Sequence, residues 1–161
     1  MAFFVGSHEQ RIDRKGRVSV PALFRDVLGK DASFYAFPAF SHHGVLCNTA
    51  NYMDTLCTDV DDLATFSDEQ DHLSWAIFGM SHVLTPDKEG RVSLPGALCQ
   101  HAEIEDMVVF VGTGRFFQLW APAHYRVQQS QVRDRVLADR QALRRRPQAN
   151  PSPVGPVESG T

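Results

Sequence analysis

The chain has 161 residues, of which 43% are hydrophobic, and a formal net charge of -3 at pH 7. This length and apolar content suit one compact domain or two small intertwined halves, and they exclude a fibrous or wholly disordered chain. The sequence has no apolar run of about 18 residues and no signal-peptide pattern, so it indicates neither membrane insertion nor export, and we expect a cytoplasmic protein.

The first predicted unit, residues 1–53, contains a basic turn. Residues 13–17 read DRKGR. The side chain of Asp13 can accept a backbone hydrogen bond, and Gly16 tolerates a positive φ angle, so the segment is typical of a tight turn between two strands.

A strand, a short helix and two further strands are predicted after this turn. Residues 18–20 read VSV and alternate as in a half-buried strand, and Pro21 suits the first turn of a helix that ends at Gly29. The inward-facing residues of that helix should be Phe24, Val27 and Leu28. The aromatic or β-branched runs 34–37 and 45–47 are typical of strands.

Residues 54–80 are predicted to connect this unit to the next through one or two helices. Leu56, Val60 and Leu63 recur at helical spacing, and residues 67–70 have the pattern of a capping box. No Lys or Arg occurs between Asp31 and Asp87. The acidic residues of the segment are Asp54, Asp59, Asp61, Asp62, Asp68, Glu69 and Asp71. Positive charge is therefore confined to other parts of the chain.

A second predicted unit, residues 81–125, repeats the first. A shift of 74 residues aligns DRKGRVSVP (13–21) with DKEGRVSLP (87–95), and six of the nine positions are identical. One such unit has too little apolar surface for its own core. We therefore expect the two units to interlock around a pseudo-twofold axis and to present both turns on one edge.

Residues 126–146 are predicted to form a C-terminal helix with an arginine-rich face, on which Arg126, Arg133 and Arg140 recur every seven residues. The sequence leaves open whether this face contacts DNA phosphates, contacts the acidic segment of another protomer, or is only solvated. Residues 147–161 contain four prolines and few apolar side chains, so they are predicted to be a disordered tail.

The residues that commonly bind metals show no ligand pattern along the chain. Cys47, Cys57 and Cys99 lack CxxC spacing, so we expect reduced, mostly buried thiols. The adjacent pair His42 and His43 has no Cys or acidic residue nearby at ligand spacing. The sequence therefore predicts no metal site and no cofactor.

The two DRKGRVSVP-like segments carry a family resemblance. IDRKGRVSVPALFR (12–25) and DKEGRVSLP resemble the paired DxxxR motifs of MraZ proteins, which belong to the SpoVT/AbrB superfamily. The resemblance covers about residues 1–145. It implies an α+β fold, mainly a β barrel with helices, formed as a tandem double swapped-hairpin barrel from two pseudo-symmetric repeats.

The same resemblance implies a function. It points to a bacterial transcriptional regulator, a repressor or an activator, that is associated with the nucleoid and binds double-stranded DNA. Such proteins act on short G-rich direct repeats upstream of the division and cell-wall gene cluster, as a ring of roughly eight or more protomers. The chain departs from the family pattern in its Pro-rich extension and its N-terminal sequence, which leaves ring size and operator open.

The resemblance also implies the site residues. The motif arginines expected to contact DNA are Arg17 and Arg91. The residues that support the motif are Asp13, Gly16, Asp87 and Gly90. A narrow hairpin can enter the major groove, and one arginine can donate two hydrogen bonds to a guanine, which discriminates against other bases by about 1–3 kcal/mol. Alternatively, the arginines only brace the turns by pairing with the aspartates.

The two turns differ in charge. Arg14 and Lys15 in the first turn become Lys88 and Glu89 in the second. We expect Arg14, Lys15 and Lys88 to contact phosphates, and the first turn to contribute more to affinity because its field is more positive.

Other functions stay open. An interaction protein would use the acidic segment, with DNA contact incidental. An AbrB-type antitoxin would usually have one motif copy, so two copies count against it. An enzyme has the least support, because the sequence has no Gly-rich phosphate loop or nucleophile elbow, and Ser19 and Ser93 have no His or acidic partner at a recognisable motif spacing. We expect no small-molecule substrate.

Overall fold

The structure is a computed structural model that describes residues 2–30 and 32–144, with side chains through Arg140. The chain divides into two units, of which the first ends at Arg126 and the second begins at Val127. The described strands are β1 Ser7–Arg11, β2 Arg17–Ser19, β3 Phe34–Pro38, β4 Val45–Asn48, β5 His82–Leu84, β6 Arg91–Ser93, β7 Met107–Gly112 and β8 Phe117–Trp120. The described helices are α1 Ala22–Leu28, α2 Ala50–Asp61, α3 Asp68–Ser74, α4 Gly96–Ala102 and α5 Pro122–Arg144, and the π-helical segment Trp75–Gly79 follows α3.

The strands of the two sequence repeats pair with each other. The larger sheet has the order β1-β7-β8-β4-β3-β5, and β2 pairs with β6 in a separate two-stranded ribbon. All six pairings are antiparallel. Exchanging the repeats, so that β1 replaces β5, β7 replaces β3 and β8 replaces β4, reverses this order and reproduces the sheet. The interlocking of the two repeats is therefore confirmed by the strand pairing.

The fold class is α+β with a mostly antiparallel sheet. In the described part of the chain, β1 and β5 are the two edges of the sheet and are not hydrogen-bonded to each other, so no closed barrel is formed. The double swapped-hairpin barrel implied by the family resemblance is not confirmed.

One hydrophobic core is shared by both repeats. Phe4 packs against Phe24 and Phe117, with ring centroids 5.3 and 4.9 Å away, and Phe117 in turn contacts Phe34 at 5.2 Å. All four rings are buried. Because residues from both halves make up this cluster, burying it requires the halves to be interlocked.

A proline directly precedes the short helix after each turn. Pro21 is the N-cap residue of α1 and Pro95 that of α4. Phe24 is fully buried, and α1 ends at Gly29 with φ of +97°, which confirms the predicted helix and its end. In the second repeat, Glu103 occupies the left-handed region at the end of α4, with φ of +56°.

The connecting segment is helical, as predicted. Ser67 caps α3 by accepting a hydrogen bond from the backbone N–H of Gln70 at 3.2 Å. The Gln70 side chain accepts from the N–H of Phe66 rather than from that of Ser67, so the capping box is modified by one residue. The seven acidic residues of the segment are all exposed. These seven residues, which lie on α2, at its C-cap and on α3, are called the acidic surface of α2 and α3.

The last helix, α5, begins at Pro122 and passes from the first unit into the second. Arg126, Arg133 and Arg140 are exposed, and so are Val132 and Val136 of the same helix. No described helix is both long and apolar enough to cross a membrane. The predicted tail, 147–161, lies outside the described residues. The domain boundaries that were predicted from the sequence stay a prediction.

The three cysteines are free. Cys47 is buried and Cys99 half-buried, but Cys57 is exposed on α2, so the expectation of mostly buried thiols does not hold for it. Burial raises the pKa of the Cys47 thiol well above its usual value, which keeps it protonated.

Candidate nucleic-acid interface

The first turn is organised by the carboxylate of Asp13. Its Oδ1 accepts hydrogen bonds from the backbone N–H groups of Lys15 and Arg17, both at 2.9 Å, and its Oδ2 accepts from Nε of Arg17 at 2.9 Å. Gly16 has φ of +77°, as the turn requires. One carboxylate thus fixes both the turn and the orientation of the motif arginine.

The second turn repeats this arrangement. Asp87 accepts hydrogen bonds from the N–H groups of Glu89 and Arg91 at 2.9 Å and from Nε of Arg91 at 3.1 Å. Gly90 also has φ of +77°. One contact is new, because Nη2 of Arg91 lies 3.2 Å from the carboxylate of Glu89. The second motif arginine is therefore held by two carboxylates.

Hydrogen bonds hold both aspartates in the ionised form. The N–H of Arg17 lowers the pKa of Asp13 below its usual value, and the N–H of Arg91 does the same for Asp87. The side-chain bonds to the arginines act in the same direction. The charge that orients each arginine is therefore present at neutral pH.

The pairing of β2 with β6 places the two motif arginines on one ribbon. The register places Arg17 opposite Ser93 and Ser19 opposite Arg91. Directly opposed residues point to the same face, so these four residues share one face of the ribbon. Val18 and Val92 occupy the other face and are buried. Both motif arginines are thus displayed on the outer side of an anchored ribbon.

The two turns lie at opposite ends of this ribbon. The expected single edge is not what the register gives, because antiparallel pairing reverses the second strand. The carbonyl of Gly90 accepts a hydrogen bond from the N–H of Val20 at 2.9 Å, and that of Gly16 accepts from Leu94 at 3.0 Å. Each turn is therefore tied to the strand of the other repeat.

The other cations predicted to contact DNA lie in the turns at the two ends of the β2–β6 ribbon. Arg14, Lys15 and Lys88 are exposed in the turns. Because Asp13 engages Nε of Arg17, the two Nη nitrogens remain at the outer end of the guanidinium, where a bidentate partner would bind. This arrangement can bind a planar acceptor pair or a phosphate.

Arg25 is a basic residue near the second turn that the site prediction did not include. Its Nε donates to the carbonyl of Val20 at 3.1 Å. Its guanidinium lies against Gly90, where a Cβ atom would be 2.6 Å from Nη1 of Arg25. The shift of 74 residues aligns Arg25 with Cys99. This additional positive charge in the first repeat was the sequence difference that could have drawn attention to Arg25.

Comparison with known proteins identifies relatives over most of the chain. The family model of the MraZ protein, which its description calls antitoxin-like, matches residues 77–145. The "Transcriptional regulator MraZ" of Rickettsia bellii (strain OSU 85-389) is 42% identical over 117 residues, which is 71% of this chain and 78% of that protein. The protein of that name from Pelagibacter ubique (strain HTCC1062) is 33% identical over 143 residues, 88% of this chain and 92% of the relative. That of Gluconobacter oxydans (strain 621H) is 36% identical over 159 residues, 94% of each chain.

Proposed function

The chain belongs to the MraZ family, and we propose that it is a sequence-specific DNA-binding transcriptional regulator that reads DNA with the outer face of the β2–β6 ribbon. The observation that carries this proposal is the position of Arg17 and Arg91 on one face, each oriented by its own aspartate. The names of the relatives support regulation of transcription rather than catalysis.

The ribbon has a size that suits the major groove, which admits two-stranded β ribbons. Arg17 and Arg91 are separated by two residues along the strands and by one strand spacing. Their Cα atoms are therefore about 8 Å apart, which corresponds to two or three base-pair steps. Each arginine would donate its two Nη groups to O6 and N7 of a guanine. A G-rich target fits this chemistry.

The hydrogen bonds from the arginines to the aspartates support a role of the arginines in DNA recognition. Asp13 bonds Nε of Arg17 and so holds the guanidinium in one orientation before DNA arrives. A preorganised side chain loses less conformational entropy on binding. Bracing of the turn by the Arg17–Asp13 pair is therefore compatible with the proposal, because the same arginine can brace the turn and contact DNA.

The neighbouring cations would supply affinity without reading sequence. Arg14, Lys15 and Lys88 are exposed beside the arginines, and Arg25 adds a further positive charge beneath the second turn. Contacts of this kind release counterions from DNA, so binding should weaken as salt rises.

We further propose that several protomers bind DNA together as a ring. The ring would bind direct repeats upstream of the division and cell-wall gene cluster. The protein would be cytoplasmic and associated with the nucleoid. A net charge of -3 is unfavourable for one protomer on DNA. Linked contacts to adjacent repeats compensate by raising the effective concentration. If sedimentation showed a monomer at micromolar concentration that still bound one isolated repeat tightly, this part would be contradicted.

The acidic surface of α2 and α3 supports a second candidate function, that of an interaction protein. Its seven carboxylates are exposed, and a partner with a basic face would complement them. The exposed arginines of α5 in another protomer are one such face. In this alternative the ring holds other factors, and DNA contact carries no sequence preference.

A gel-shift competition separates the two functions. The probe is labelled DNA from upstream of the protein's own gene, and the two competitors are the same DNA without the label and a scrambled version of it. We expect only the native sequence to compete, and we expect an Arg17→Ala Arg91→Ala double variant to lose this discrimination. Arg115→Ala, at an exposed arginine between β7 and β8, is the matched control and should bind as the unaltered protein does. Equal competition by scrambled DNA would favour the interaction protein.

A further inference from the structure

Four of the seven histidines of the chain gather at one corner of the first unit. His42 and His43 lie in the turn between β3 and β4, His101 is on α4, and His124 is in the first turn of α5. The ring of His43 stacks on that of His124 with centroids 4.2 Å apart, and its centroid is 6.4 Å from that of His101. The other three histidines are on β1, α3 and β5.

A carboxylate completes this cluster. Oε2 of Glu103 lies 2.9 Å from Nε2 of His124. One ligand atom from each of His43, Glu103 and His124 falls within 4.8 Å of the other two. Zinc bonds of about 2.0–2.2 Å in a tetrahedron place two ligand atoms about 3.4 Å apart. Reorientation of the side chains would therefore bring all three atoms to one ion.

Binding one ion requires the three side chains to reorient. A metal ion lies in the plane of each imidazole that binds it, so the stacked rings of His43 and His124 must turn relative to each other. His43 and Glu103 are exposed, and His124 is half-buried. These side chains can change rotamer without disturbing the core.

The backbone around the three residues is fixed. Nε2 of His101 lies 3.1 Å from the carbonyl oxygens of both His42 and Gly44, so it clamps the turn to α4. The His42 ring accepts a hydrogen bond from the N–H of Gly44 and stacks on Trp120 at 4.7 Å. His42 and His101 thus position the turn that carries His43. Nδ1 of His43 lies 3.4 Å from the carbonyl oxygen of His101, so Nε2 is the His43 nitrogen that would bind a ligand.

We propose that His43, Glu103 and His124 form a binding site for a divalent transition-metal ion, with Zn²⁺ as the ion that two imidazoles and one carboxylate suit best. Three protein ligands leave a fourth position for water. The ion would join the β3–β4 turn of the first repeat to the end of α4 and the start of α5. Spacing along the chain predicted no metal site, because the ligands are 60 and 21 residues apart and only the fold unites them.

Calorimetric titration of the full chain with Zn²⁺ tests the site. The protein would carry Cys57→Ser, because the exposed Cys57 thiol is a competing ligand. We expect one ion per protomer. Removing even an outer partner of a metal ligand costs about tenfold in affinity, so His43→Ala, His124→Ala and Glu103→Gln should each cost at least that much. His72→Ala, at an exposed histidine of α3, is the matched control and should leave binding unchanged.

NMR spectroscopy of the imidazole nitrogens gives a second readout that does not depend on affinity. Zn²⁺ should shift the ring signals of His43 and His124, and leave those of His8, His72 and His82 in place. Far-UV circular dichroism of each variant checks that the fold is retained. Absence of Zn²⁺ binding, equal losses in His72→Ala and His124→Ala, or shifts at His72 or His82 rather than at His43 would each overturn the proposal.

Discussion

At the scale of single residues, the two motif arginines are alike in their backbone and different in their charge environment. Among the residues that the structure describes, Arg17 pairs with Asp13 alone, with the Nε to Oδ2 distance at 2.9 Å, whereas Arg91 pairs with both Asp87 and Glu89. In the second turn one Nη group is already engaged by a carboxylate. The identical DxxGR pattern therefore produces two arginines that differ in how many carboxylates hold them.

We predict that Arg17→Ala weakens DNA binding more than Arg91→Ala. A good bidentate contact to guanine is worth about 1–3 kcal/mol, and the Arg91 contact must first displace Glu89. Fluorescence anisotropy with the operator DNA gives both dissociation constants. Glu89→Lys, which restores the residue type of Lys15, should increase affinity, while Glu69→Lys makes the same charge change on α3 as a control. Equal losses in the two arginine variants would contradict this ranking.

Acid should weaken both turns through their aspartates. The pKa values of Asp13 and Asp87 are lowered in the folded protein, so the unfolded chain binds more protons. The stabilisation is present above the ordinary Asp pKa of about 3.9 and is lost as the pH falls through the lowered values. In urea unfolding, Asp13→Asn Asp87→Asn should therefore depend less on pH below about pH 4 than the unaltered protein. Asp59→Asn on α2 should keep the original dependence.

At the scale of elements, the N-terminal segment is held against β7 by a close backbone crossing. The N–H of Gly112 donates to the carbonyl of Gly6 at 2.8 Å, and Phe4 exchanges two hydrogen bonds with Gly114. A Cβ atom on Gly112 would lie 2.4 Å from the carbonyl carbon of Phe4. The close crossing of the two backbones leaves no room for a side chain at position 112. The crossing also places the Phe4 ring in the core.

Gly112→Ala should therefore detach this segment. We expect the free energy of unfolding to fall by about 3 kcal/mol, the lower end of the cost of removing a buried phenylalanine. Gly96→Ala is the matched control, because no atom lies within 4 Å of the Cβ position there. It should change stability by less than about 1 kcal/mol. Denaturant unfolding of both variants measures the difference, and similar values would show that the crossing is not a constraint.

At the scale of the whole molecule, the two repeats are halves of one folding unit. Each of β1, β2, β3 and β4 pairs with a strand of the second repeat. The aromatic core likewise takes rings from both repeats. The ribbon that carries the motif arginines therefore exists only when both repeats are present.

We predict that residues 1–80, expressed alone, show no cooperative unfolding transition by circular dichroism. The partner strands β5, β6, β7 and β8 would be missing, together with much of the apolar surface that stabilises the sheet. Adding residues 81–144 as a second chain should restore the transition. A fragment 1–80 that unfolded cooperatively by itself would contradict the interlocked description.

The amino-acid sequence by itself determined the local structure. DRKGR and DKEGR specify the two turns, because Asp supplies an acceptor and Gly permits a positive φ angle, and the structure has both as expected. Alternation of Val and Ser predicted the ribbon strands, and prolines marked the starts of α1 and α4. These features depend on interactions within a few residues, which a sequence records directly.

Only the tertiary structure decided what lies beside what. The antiparallel register of β2 and β6 put the two turns at opposite ends of one face, Arg25 came to lie against Gly90, and His43, Glu103 and His124 came together from three elements. Glu89, read from the sequence as a reduction in charge, became a direct partner of Arg91. Each of these contacts depends on strand pairing and core packing between distant segments, and no local pattern encodes that.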